Sequence, residues 1–92
     1  MLIPLIDIRM LDDVHLRALE RLVDCVEEEL LDHMVTECMR SLSIDRVDTP
    51  QQLLLLGESL TKRGRASERY GGTIAMMGRL MRTRAILLGA KV

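Results

Sequence analysis

The chain has 92 residues, 48% hydrophobic and 29% charged, with a net charge of −1; this is one small domain, too apolar for a disordered chain and too short for a multidomain enzyme. It contains no Trp, no Phe and a single Tyr against 17 Leu and 7 Met, which argues against β-sandwiches and base-stacking nucleic-acid modules and for helices. Near-neutrality conceals a split: residues 1–48 carry 12 acids and 5 bases, net −7, whereas residues 49–92 carry 2 acids and 8 bases, net +6.

Residues 1–10 hold seven apolar positions and Pro4, and read as an extended apolar arm. They lack a basic leader and a small-residue cleavage signal, so they make a poor signal peptide. Cys25 and Cys38, the two cysteines, lie 13 residues apart, about 20 Å on one helix and beyond disulfide reach. A reducing, cytoplasmic compartment is the expectation.

Asp12 is a good N-cap, and Leu16, Leu19, Leu22, Val23, Val26 and Leu30 recur at helical spacing behind it. Beyond Leu30 the apolar set becomes Leu31, Met34, Val35, Cys38 and Leu42, rotated by roughly 100° from the first stripe. The pattern predicts an acidic helix over about 12–42, within segment 11–43, that kinks or changes partners near residues 27–31.

After a turn at 44–49, Thr49-Pro50-Gln51-Gln52 forms a capping box with Pro at the first helical position. From there Leu53, Leu56, Leu60, Arg63, Ser67, Tyr70, Ile74, Met77, Met81, Arg84 and Leu88 keep one three-four register. Gly57, Gly64, Gly71 and Gly78 fall seven residues apart beside that seam. A mid-helix Gly costs about 1 kcal/mol relative to Ala, so such a row needs a closely packed neighbouring backbone in return. The spacing predicts a continuous basic helix over 50–88, within segment 50–89. The alternative is a three-helix bundle with a break near 64–72, where residues 61–69 lack an apolar stripe.

Two long helices joined by a short turn form an antiparallel hairpin in which facing residue numbers sum to about 93. Glu27, Glu28 and Glu29 then oppose Lys62, Arg63, Arg65 and Arg69, and Asp12 and Asp13 oppose Arg79, Arg82 and Arg84. The change of face in the first helix falls opposite the polar stretch of the second, which implies a waist at mid-length. A hairpin this small leaves apolar faces uncovered, so the predicted architecture is all-α, a homodimer of hairpins closing a four-helix-type bundle.

Chemistry is sparse. His15 and His33 lie about 27 Å apart on one helix and cannot share a metal. Glu29, His33 and Glu37 share a face without an Glu-x-x-His pair, and read as solvated charges. Cys38 is rotated away from His33, and no glycine has phosphate-loop spacing. The expectation is a chain that is not an enzyme and has no cofactor, metal, small-molecule substrate or membrane span. Because Met adapts to varied partners, the expected role is a protein–protein interaction module, an adaptor, small chaperone or regulator. Its interface residues would be Leu5, Ile8, Met34, Met39, Met76, Met77, Met81 and the seam residue Arg84, with Gly57, Gly64, Gly71 and Gly78 for close helix packing. The alternative is a dimeric helical nucleic-acid-binding regulator that contacts phosphates through Lys62, Arg63, Arg65, Arg69, Arg79 and Arg82.

Overall fold

The computed structural model describes residues 2–92. Four helices follow two short 3-10 turns at Ile3–Leu5 and Ile8–Met10: α1 Asp13–Asp24, α2 Glu28–Leu42, α3 Pro50–Ala66 and α4 Gly71–Leu87. The chain is all-α. Among the described residues no helix is long and apolar enough to cross a membrane.

The two long helices expected from the spacing are each broken in two. The longest dimension of the molecule is 32 Å, little more than half the length of about 58 Å that a straight helix from 50 to 88 would need. The first break, at residues 25–27, falls where the apolar stripe changes face: Cys25 and Val26 bond back to Leu22 and Val23 carbonyls in a tightened last turn, and Val26 turns into the core. The second, at residues 67–70, falls in the stretch without an apolar stripe. Ser67 is extended, its hydroxyl donates to the Arg69 carbonyl at 2.8 Å, and Tyr70 takes a left-handed conformation (φ 56°). This second break is the alternative that the sequence left open near 64–72.

The result is the expected hairpin folded once more across its middle. α1 packs on α4 and α2 on α3, as antiparallel halves should, but α3 and α4 also close against one another. The four-helix arrangement is therefore made by one chain, and Met39, Met77 and Met81, assigned above to a partner interface, are 6%, 0% and 1% exposed in the chain's own core. They join Leu19, Leu31, Val35, Leu53, Leu56, Leu60 and Ile74 there.

The closure of α3 on α4 explains the glycine row. A Cβ built on Gly57 would stand 2.7 Å from the Gly78 carbonyl oxygen, and one on Gly78 would stand 2.5 Å from that of Gly57 and meet the Thr61 hydroxyl. Seven residues away along each helix, about two turns, Gly64 and Gly71 meet in the same way, with a Cβ on Gly71 falling 2.5 Å from the Gly64 oxygen. The heptad spacing thus brings two glycine pairs into register across a hairpin, where backbone lies on backbone.

The N-terminal segment is not an extended arm. Pro4 sits in the first 3-10 turn, where its missing N–H leaves nothing unsatisfied. Leu2, Ile6, Met10 and Leu11 are buried, and the Asp7 N–H and Val47 N–H exchange bonds of 2.8 Å with the Val47 and Leu5 carbonyls. This strap covers apolar surface that the sequence alone leaves for a partner. The capping box at Thr49 and Gln52 forms as expected and starts α3 at Pro50.

Alanine at Gly57 or Gly78 should cost about 1–3 kcal/mol despite its better helix propensity, because at each position two of the three nearest atoms are backbone of the facing helix and cannot move aside. Gly72 has nothing within 4 Å of its would-be Cβ, and Gly72→Ala should stabilise by about 0.5 kcal/mol. Urea titration of the three variants checks the contrast, and stabilisation by all three would contradict the close-packed α3–α4 contact.

Candidate functional site

The site is built on one side of α4. Met76, Arg79, Leu80 and Thr83 recur at three- and four-residue spacing and form one wall of a cleft whose other wall is Ala18, Arg21 and Leu22 of α1. The floor is apolar, with half-buried Leu22 and Leu80. Met76 is 55% exposed at its lip. Val14 and Leu87, one turn outside this lining on α1 and α4, are 75% and 66% exposed. The helices run antiparallel here, since Asp12 at the start of α1 meets Arg84 near the end of α4.

A second, polar groove adjoins the first across α4. Glu58, Thr61, Lys62 and Arg65 of α3 face Arg79 and Arg82 of α4, and Arg79 lines both depressions. Glu58 is the acid among these side chains, 3.7 Å from Arg82. Lys62, Arg65 and Arg79 make no ion pair with any described residue.

The remaining expected residues are dispersed. Arg69 leaves the basic set: it forms an ion pair with Glu27, so that the two broken segments are tied to each other, and its guanidinium lies 5.5 Å from the Tyr70 ring centroid. Hydrogen bonding to Glu27 raises the Arg69 pKa. Arg63 faces α2, lining a shallow groove with Met34 and His33. Arg84 is used internally: its Nε donates to the Met10 carbonyl at 2.6 Å and its Nη1 lies 3.5 Å from Asp12. Leu5 is half-buried beside Met39 and Ile44, and Ile8 is 60% exposed. Of the acid–base pairings expected from the hairpin register, Glu27 with Arg69 and Asp12 with Arg84 are formed.

Sequence reasoning missed the α1 wall. Arg17 and Arg21, four residues apart within an acidic helix, were the available signal, hidden by summing charge over the whole segment. Among the described residues no three His, Cys, Asp or Glu side chains converge as metal ligands. What the cleft offers chemically is apolar contact flanked by guanidinium donors.

Two carboxylates hold the strap and the start of α1. Hydrogen bonds from the Arg9 side chain and then the Arg9 backbone N–H lower the Asp7 pKa from 3.8 to about 2. The Asp12 pKa is lowered by the His15 backbone N–H, then by the His15 ring, and more weakly by Arg84. Comparison with known proteins finds no family model that matches the chain and no curated protein or solved structure similar to it.

Because both groups are more acidic folded than unfolded, the stability they contribute is complete above 3.8 and is lost as pH falls through the folded values, towards about 2 for Asp7. Asp7→Asn and Asp12→Asn should therefore lower Tm at neutral pH, and the gap to the wild type should close as pH approaches 2. Calorimetry across that range checks it; a gap independent of pH would contradict the assignment.

Proposed function

We propose that the chain is a non-enzymatic protein–protein interaction module, an adaptor, small chaperone or regulator, that receives its partner in the α1–α4 cleft. The observation that carries this reading is the position of Met76. The methionines of the seam, Met77 and Met81, are spent on the core, whereas the neighbouring Met76 is left exposed at the lip of an apolar depression. Exposed apolar surface that is contiguous and rimmed by charge is the usual mark of a docking site, and Met tolerates varied shapes there. The walls are helix faces on a close-packed α3–α4 base, so the cleft is formed before anything binds and little ordering cost falls on association.

A second reading, polyanion or nucleic-acid binding, is favoured by one observation: Lys62, Arg65 and Arg79 face solvent without acidic partners. It is the weaker of the two because neither groove contains an aromatic side chain for base stacking.

Affinity capture from the source cells separates these readings. Met76→Glu should lose a partner that the wild type and Ile8→Gln both retain, with the circular-dichroism melt of each variant checked beforehand. Capture that ignores Met76→Glu, but is lost when Lys62, Arg65, Arg79 and Arg82 are all changed to Gln and falls steeply with salt, would replace the protein-docking reading with the polyanion one.

A further inference from the structure

We infer that the occupant of the α1–α4 cleft is an amphipathic helix of a different protein, acidic along both flanks of its apolar stripe. This rests on the docking reading above and adds the chemistry of the partner.

Length comes first. On α4 the cleft lining runs from Met76 through Arg79 and Leu80 to Thr83, eight residues, about 10 Å or two helical turns. The α1 lining from Ala18 to Leu22 runs beside it. A trough of that length between two parallel ridges suits a helix laid along it, which would present apolar residues at i, i+3 or i+4, and i+7.

Charge then selects the partner. One flank of the incoming helix would lie along Arg21, and the other along Arg79 with Lys62, Arg65 and Arg82 behind it, four cations against the single acid Glu58. Acids on those flanks gain partners; bases would meet like charge in a partly desolvated rim. The same argument disfavours a second copy of this chain. A closed two-fold dimer through the cleft uses the same patch on both copies, and would set one cationic rim against another, with no acid in the cleft lining to answer Arg21 and Arg79. Nucleic acid would satisfy the cations but leave the apolar floor of Leu22, Met76 and Leu80 uncovered.

The test is selection of random helical peptides displayed on phage against the immobilised full chain, with affinities of the enriched peptides then measured by fluorescence anisotropy. The expected result is enrichment of sequences with an apolar stripe flanked by Asp or Glu. Their binding should fall at least about tenfold in Met76→Glu and in Arg79→Glu, and severalfold on raising salt from about 0.1 to 0.5 M as the exposed pairs are screened. It should be unaffected by Ile8→Gln. Enrichment of neutral or basic sequences that still depend on Met76 would overturn the acidic partner while leaving the docking reading intact. No enrichment, or peptides indifferent to Met76→Glu, would overturn both. Concentration-dependent dimers in light scattering that Met76→Glu dissociates would overturn the inference in favour of a second copy.

Discussion

The contact of α3 with α4 is the constraint on which the other features of this protein depend. Two glycine pairs, Gly57 with Gly78 and Gly64 with Gly71, let backbone approach backbone so closely that a single added carbon would collide with a carbonyl oxygen. Each glycine weakens its own helix by about 1 kcal/mol, and the return is a contact in which the two helices lose almost no space to side chains at the crossing. With α3 and α4 held this way, α1 packs on α4 and α2 on α3.

The turn that permits this contact is assembled from polar residues with nothing to bury. Ser67 and Tyr70 leave helical geometry, and the strip from Thr61 to Arg69 carries no apolar stripe that a continuing helix would bury. The first helix breaks at the same level, and Glu27 bonds to Arg69 across the gap. This pair is exposed and its energetic contribution is small; its significance is geometric, since it registers one break against the other. Asp12 and Arg84 do the same at the far end, where Arg84 also holds the strap through the Met10 carbonyl.

Folding the hairpin in half changes which surface remains for function. Met39, Met77 and Met81, natural candidates for a partner's core, are consumed internally, and the strap covers much of the rest. Among the surfaces that stay open is the side of α4 that faces α1, apolar along its floor and cationic along its margins. Lys62, Arg65, Arg79 and Arg82, which lie on two segments with a turn between them, are gathered beside that floor only because α3 and α4 are antiparallel neighbours.

Two helix starts were legible in the residues: Asp12 and Thr49 cap α1 and α3 as their side chains dictate, and helical class follows from Leu- and Met-rich stripes without aromatics. The acid–base register was legible too, because a short turn between segments of matched length fixes which residues face each other. Continuity through residues 67–70 was not, since a heptad glycine row fits one long helix against an outside neighbour as well as two short helices against each other, and the spacing is identical in both. The cleft was likewise hidden, as its walls are sixty residues apart in sequence and neither is apolar enough to stand out alone. The sequence by itself determined the all-α class, the caps that start α1 and α3, and two acid–base pairings, Glu27 with Arg69 and Asp12 with Arg84. Only tertiary structure decided that α4 turns back on α3, because that choice depends on backbone-to-backbone contact between residues that no local pattern relates.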